Sequence, residues 1–252
     1  MTNIILCGCS GRMGEAVARL AADSSDVRIV AGVDVNTSAQ FSDFPVYQSI
    51  FDFVGKADVI VDFSHHTTLP SLAKYAVETS TPLVVCTTGH TDEELEIIQT
   101  SAEKVAVFHS GNMSIGINLL MELCKKASET LGIAFDVEIV EKHHNKKLDA
   151  PSGTALMLAD SIKQTRNATE YVYDRHSIRR QRSAEEIGIH SVRGGTIVGE
   201  HEVIFAGNNE MITISHSAMS REIFASGALR AATFISGKPA GMYNMSNVIN
   251  DK

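Results

Sequence analysis

The stretch Glu141-Lys142-His143-His144-Asn145-Lys146-Lys147-Leu148-Asp149-Ala150-Pro151-Ser152-Gly153-Thr154 gathers two adjacent histidines, three lysines and two acids ahead of a helix start. Histidine moves protons near neutral pH, and lysine is a fixed cation that attracts carboxylates. Pro151, Ser152 and Thr154 precede apolar positions Leu156, Ala159 and Ile162, the spacing of a helix that begins here. Its N-terminus offers free backbone N–H groups and the positive end of the helix dipole. One short segment thus combines a proton carrier, cations and an anion cradle, which suits protonation of a bound anion. The alternative is a surface loop decorated with charge. That loop would have no reason to run into an anion-binding helix start.

A second stretch points to a different chemistry. Ile4-Ile5-Leu6-Cys7 is an apolar run that ends in Gly8-Cys9-Ser10-Gly11-Arg12-Met13-Gly14, with Ala16, Val17 and Leu20 following at helical spacing. Strand, glycine turn and helix are what a dinucleotide pyrophosphate needs. The glycines permit a tight turn and close backbone approach, and the helix N-terminus receives the phosphates. The pattern is G-x-x-G-x-x-G, with Ser10 at the place of the usual middle glycine. A second strand, Val27 to Val33, ends at Asp34, where an acid is expected to hold the adenosine ribose.

The elements that position these residues follow from periodicity. Phe135 to Val140 alternates apolar and polar residues as a half-buried strand does, and so delivers the histidines at its C-terminal end. Neighbours on a strand face opposite ways, so His143 and His144 are expected to do different jobs. Adjacent histidines also lack the same-face spacing of a zinc helix, and no metal is expected. Before this region, apolar strands at 57–63, 83–86 and 105–108 alternate with helices near 70–77 and 92–102. That alternation predicts an α/β fold: a Rossmann-type, doubly wound parallel sheet covered on both faces. Ligands bind beyond the carboxyl ends of such strands. Ser64, Thr87, Thr88 and Ser110 to Met113 are therefore expected in one crevice with the glycine turn. After a long helix over 115–131, the runs 187–192, 196–205 and 211–215 are separated by Gly194-Gly195 and Gly207-Asn208-Asn209. These turns predict hairpins in a second, α+β domain with a mixed or antiparallel sheet. The expected division is 1–113 with 221–252 for the dinucleotide, and 114–220 for substrate binding and oligomerisation.

Composition bounds the rest. The chain has 252 residues and a formal net charge of −8, which argues against nucleic-acid binding. A basic cluster at Arg175, His176, Arg179, Arg180 and Arg182 is either a solvated loop or an attractor of anionic substrate. No apolar run is long enough for a membrane span, and the first residues read as a strand, not a signal peptide. The four cysteines have no zinc-type spacing and read as reduced thiols of a cytoplasmic protein.

Three motifs together resemble one family. They are G-x-x-G-R-M-G at Gly8 to Gly14, H-H-x-x-K-x-D-A-P-S-G-T at His143 to Thr154, and R-G-G-x-I-V-G-E-H at Arg193 to His201. They resemble the dihydrodipicolinate reductases, also called 4-hydroxy-tetrahydrodipicolinate reductases, of bacterial lysine and diaminopimelate synthesis. The central motif is specific and the glycine motif is not. The likeness runs from residue 3 to about residue 249.

That resemblance implies hydride transfer from NADH or NADPH to a small cyclic dicarboxylate, and a homotetramer joined through substrate-domain sheets. It implies that His143 is the general acid and Lys147 a second donor or charge stabiliser. His144, Gly153 and Thr154 are implied as substrate ligands. Gly8, Cys9, Ser10, Gly11, Arg12, Met13, Asp34, Cys86, Thr87, Thr88, Ser110, Gly111, Asn112 and Met113 are implied as cofactor contacts. Cys86 stands where relatives often carry glycine, and His66 where proline is common; both concern local loop geometry. Asp34 is followed by Val35, not by the arginine of relatives that use NADPH well, so NADH is expected to serve at least as well as NADPH. Two other readings share the plan: another two-domain NAD(P)-dependent amino-acid or aldehyde dehydrogenase, and a non-catalytic dinucleotide sensor. Neither needs the twin histidines.

Overall fold

The computed structural model describes residues 1–37, 43–166, 170–177 and 179–251. The chain forms two compact units, one of Met1–Ile115 with Glu222–Lys252 and one of Gly116–Arg221.

The first unit contains β1 (Thr2–Cys7), α1 (Arg12–Ala22), β2 (Val27–Val33), β3 (Val46–Tyr47), β4 (Val59–Asp62), α2 (Leu69–Thr79), β5 (Leu83–Val85), α3 (Asp92–Ala102) and β6 (Ala106–His109). Its strands form a seven-stranded sheet in the order β12-β6-β5-β4-β1-β2-β3, where β12 is Gly241–Tyr243. Every pairing in it is parallel. Helix α6 (Glu222–Ile235) and the short α7 (Met245–Asn250) return from the far end of the chain to this unit. Strand β1 shows why the strands are apolar throughout. Ile4 and Leu6 join one buried cluster with Val17, Ala228 and Leu229, while Ile5 and Cys7 join another with Leu72, Ala73 and Ile98. Helices thus cover both faces, as a parallel sheet requires. At Gly227 of α6 a Cβ would run into the Met113 carbonyl, so glycine lets that helix lie against the backbone after β6. Neither β3, β12 nor α7 stands out in the sequence, because two to six residues are too few to display a period.

The second unit holds most of α4 (Ile115–Leu131), then β7 (Asp136–His143), α5 (Gly153–Lys163), β8 (Glu170–Val172), β9 (Glu186–Arg193), β10 (Gly199–Ala206) and β11 (Met211–Ala218). Its sheet has the order β11-β10-β7-β9-β8. It is mixed: β7 runs antiparallel to β10 and parallel to β9. One expectation is corrected here. The Gly194-Gly195 turn does not close a hairpin, because β7 lies between β9 and β10; of the two turns, only the one between β10 and β11 joins an antiparallel pair. Helices α4 and α5 cover one face, with Ile117, Leu120, Leu158 and Ile162 packed against Val137, Ile139, Ile187 and Phe205.

The basic cluster is also revised. Arg175 pairs with Glu138 and Glu186, Arg180 with Glu170 and Glu186, and Arg182 with Asp136 and Glu138. These three guanidiniums clamp the β8–β9 edge to β7. With each one facing two acids, they form no net positive attractor for an anion.

Candidate functional site

Strand β1 is followed by Gly8, whose φ is +74°. A Cβ there would lie 2.6 Å from the Phe63 carbonyl group and the Ser64 nitrogen, so both the conformation and the close approach demand glycine. A Cβ at Gly14 would strike the Gly8 carbonyl oxygen. Gly11 caps α1, and no side chain makes a capping hydrogen bond to that helix start. Asp34 follows β2. Its two carboxylate oxygens accept from the backbone N–H of Ser10 at 3.0 Å and of Asn36 at 2.9 Å. The Ser10 hydroxyl donates to the Asn36 carbonyl at 3.0 Å, tying the glycine turn to the acidic loop. Gly8, Ser10, Gly11, Asp34, Val35 and Ser64 lie among the lining of a cavity of about 370 Å³. The sheet order reverses between β1 and β4, and this cavity opens at that reversal.

The remaining residues of the expected crevice lie elsewhere. Cys9 is fully buried, and its sulfur faces Gly32 in the core. Arg12 and Met13 open α1. Cys86, Thr87 and Thr88 follow β5, and Ser110 to Met113 follow β6, at the same sheet end but outside the wall of this cavity. Thr87 Oγ1 reaches His90 Nε2 at 3.2 Å and donates to buried Asp62 at 3.4 Å. The Ser110 hydroxyl donates to the Asn112 carbonyl at 2.9 Å, and Met113 is buried. Phe63, Gln48 and His65 line the cavity without having been singled out in the sequence.

The second unit carries its own cluster of ionisable residues. On β7 every second residue faces the helices: Val137, Ile139, Glu141 and His143. The inward face therefore changes from apolar to ionisable within one strand. Glu141 is fully buried, and its carboxylate accepts Arg193 Nη2 at 2.7 Å and Nη1 at 2.8 Å, a fork-on-fork pair. The Ser152 N–H donates to the same carboxylate at 3.1 Å, and His143 Nδ1 lies 2.6 Å from it. Burial pushes the Glu141 carboxyl upward, but hydrogen bonds from Arg193, Ser191 and His143 outweigh it and bring the pKa to about 2. Glu141 is therefore an anion at any working pH, and the neutral His143 ring donates its Nδ1–H to it. That leaves Nε2 as the reactive nitrogen. Burial lowers the His143 pKa; Glu141 opposes this, and Lys147 and Arg193 add to it. A Cβ at Gly199 would lie 3.1 Å from His143 Nε2, so glycine at that position keeps the nitrogen uncovered.

Ser152 caps α5, accepting the Ala155 N–H on its hydroxyl at 3.2 Å. Gly153 and Thr154 are the first residues of that helix. A Cβ at Gly153 would meet nothing within 4 Å, so neither crowding nor backbone strain explains the glycine there. Lys147 Nζ lies 2.8 Å from Asp149, and His144 Nε2 lies 3.5 Å from Arg221. Glu141, Arg193 and His201 are additional members of this cluster. The strand period alone could have found Glu141, two residues before His143 on the same face. Arg193 and His201 stand at the two ends of the third sequence motif, but their meeting with Glu141 and His143 comes from strand pairing across the sheet, which the motif does not reveal.

Comparison with known proteins agrees with this plan. Residues 2–113 match the family described as dihydrodipicolinate reductase, N-terminus, and residues 116–249 the one described as dihydrodipicolinate reductase, C-terminus. The 4-hydroxy-tetrahydrodipicolinate reductase of Caldanaerobacter subterraneus subsp. tengcongensis is 52% identical over 250 residues, 99% of this chain and 98% of that one. The enzyme of the same name from Clostridium tetani is 49% identical over 253 residues, again covering 99% and 98%. Among solved structures, the dipicolinate-bound dihydrodipicolinate reductase of Paenisporosarcina sp. TG-14 superposes with a TM-score of 0.82 at 26% identity, covering 97% of each chain. With both halves matched and close relatives aligned end to end, the chain belongs to the dihydrodipicolinate reductase family.

Proposed function

We propose that the protein reduces 4-hydroxy-tetrahydrodipicolinate to tetrahydrodipicolinate, with loss of water, using NADH or NADPH in lysine and diaminopimelate synthesis. The observation that carries this reading is His143, its Nδ1 on the Glu141 carboxylate and its Nε2 left open beside Gly199, on a chain of this family. The experiment is to follow NAD(P)H absorbance with the condensation product of pyruvate and aspartate semialdehyde.

In this reading the first unit is the dinucleotide domain and the second binds substrate. The first unit fits a dinucleotide: its glycine turn has no room for a Cβ at Gly8, and the start of α1 and the Asp34 carboxylate stand at the same cavity. Gly8 to Met13 would hold the pyrophosphate, Asp34 the adenosine ribose, and Cys86 to Thr88 with Ser110 to Met113 the nicotinamide half. When bound, the reduced nicotinamide supplies a hydride. Gly153, Thr154 and His144 receive the substrate carboxylates. Lys147 adds positive charge on the same loop and would exchange its Asp149 partner for substrate. Hydride addition to a conjugated imine leaves an electron-rich enamine carbon, and protonated His143 donates the proton there from Nε2. Arrival of a dianion raises the His143 pKa, because an anion stabilises the imidazolium. The substrate thereby charges its own acid.

NADH serves at least as well as NADPH in this proposal. Asp34 repels a 2′-phosphate, Val35 is 85% exposed and apolar, and none of the described residues lining that cavity is lysine or arginine. Homotetramer assembly is supported by the sheet face opposite α4 and α5, where exposed Val192 and part-exposed Val140 and Ile204 stand beside Glu200 and Glu202. A cytoplasmic location fits four free cysteines. Among the described residues no helix is long and apolar enough to cross a membrane.

A further inference from the structure

We infer that His201 is a positioning residue for the proposed reaction: through Ser152 it sets the helix start that receives a substrate carboxylate, and by edge-on packing it steadies the ring of His143. The inference rests on the proposed reductase reading and adds a residue to it.

His201 lies on β10, in register with Glu141 of β7 on one side and His216 of β11 on the other. It is 5% exposed, which removes it from direct contact with bulk solvent. Its Nε2 is 3.0 Å from the Ser152 hydroxyl, which also accepts the Ala155 N–H. Ser152 is thus held at two points, by its N–H to Glu141 and by its hydroxyl to His201. Gly153 and Thr154 follow immediately, so the direction of the cradle depends on these two bonds. The rings of His201 and His143 meet edge-on, with centroids 5.2 Å apart and planes at 74°. One imidazole therefore touches both the acid and the cradle.

Two imidazoles this close compete for one proton, and the surroundings decide which takes it. Glu141 and His143 face His201 from β7, His216 from β11, Ser152 from the start of α5, and Lys147 from the intervening loop. His201 Nδ1 is buried with no hydrogen-bond partner among the described residues. A cationic ring would place an N–H there with nothing to accept it. Burial, then the charge of His143, push His201 down to about 4 against the pull of Glu141. His143 instead has the Glu141 carboxylate at 2.6 Å on its Nδ1. The proton used in the reaction accordingly resides on His143, while His201 stays neutral and fixes geometry.

The test uses the full chain with His201→Phe, which keeps a ring and loses the hydrogen bond, and His201→Gln, which keeps a hydrogen-bonding group but cannot titrate. Dipicolinate affinity by calorimetry, KM for substrate and for NADH, and the pH profile of kcat/KM are measured. His201→Phe is expected to weaken dipicolinate and substrate by roughly five- to tenfold, the scale of one lost hydrogen bond, with KM for NADH unchanged. His201→Gln recovers most of that loss and keeps the wild-type pH at which kcat/KM falls. A lower melting temperature with unchanged dicarboxylate affinity in both variants would reduce His201 to core filler. Loss of turnover in His201→Gln with dipicolinate affinity intact would make His201 itself the proton donor. Should His201→Phe not fold, His201→Leu and His201→Gln supply the same contrast. A wild type that binds dipicolinate but turns nothing over would remove the reductase reading, while the affinity series would still judge His201. A wild type that binds no dicarboxylate would overturn both.

Discussion

Glu141 and His143, two residues apart on the buried face of β7, meet with the carboxylate Oε2 2.6 Å from the imidazole Nδ1. The pairing fixes the His143 tautomer and aims Nε2 past Gly199. It places a permanent anion behind a base whose pKa burial lowers. Arg193 closes the arrangement from β9, so the buried carboxylate is matched by one guanidinium.

His143→Ala should lower kcat by about 10²–10⁴-fold, the usual weight of a general acid. The dissociation constant for NADH, read by fluorescence titration, should not change, because the glycine turn and Asp34 belong to the other unit. Wild-type turnover in this variant would remove His143 from the mechanism.

Glu141→Gln should act on both stability and pH dependence. It leaves part-buried Arg193 without its anion, a loss of roughly 2–3 kcal/mol, or about 5–10 °C in Tm for a chain of this size. The carboxyl is held below its ordinary 4.5 at about 2, so its contribution is present above pH 4.5 and fades as pH falls toward 2. The variant should lose that acid slope. Without the anion the His143 imidazolium is less favoured. The fall in kcat/KM as pH rises through the His143 pKa should then move to lower pH. A shift to higher pH would contradict the Glu141–His143 assignment.

Gly199→Ala places a methyl 3.1 Å from His143 Nε2. It should lower kcat by roughly tenfold or more by displacing the acid a fraction of an ångström, with little effect on Tm. A variant with normal turnover would show that the open nitrogen at this position is not the one that reacts.

Val35→Arg should move the NADPH/NADH ratio of kcat/KM by about one order of magnitude, or about 1.4 kcal/mol, since a charge-assisted phosphate contact is worth that much. Steady-state kinetics with both cofactors on both proteins decides it. A wild type that prefers NADPH tenfold would show that Asp34 and Val35 do not set the choice.

Several of these relationships were legible in the sequence, and the reason differs from case to case. The glycine turn was readable because its constraint is local: a Cβ at Gly14 would clash with the Gly8 carbonyl oxygen, six residues away. Strand β2 and the alternation of β7 were readable because each has enough residues to show its period. Glu141 was within reach, since residues at i and i+2 share a strand face. The Glu141–Arg193 pair was not, because it depends on β7 pairing with β9 across 52 residues of chain. The same insertion of β7 defeated the hairpin expected at Gly194-Gly195, as a turn does not announce which strand will lie between its arms. The arginines near 175–182 left a solvated loop and an anion attractor equally open, because their acidic partners, Glu138 and Asp136, sit on a distant strand.

The most direct test of the account is the pH profile of kcat/KM for NADH-dependent reduction of the pyruvate–aspartate semialdehyde condensation product, for wild type and Glu141→Gln side by side. The expected result is turnover by wild type, a fall in rate as His143 deprotonates on raising the pH, and the same fall at lower pH in Glu141→Gln. No turnover of this substrate by wild type, or a fall that does not move when Glu141 is replaced, would contradict it.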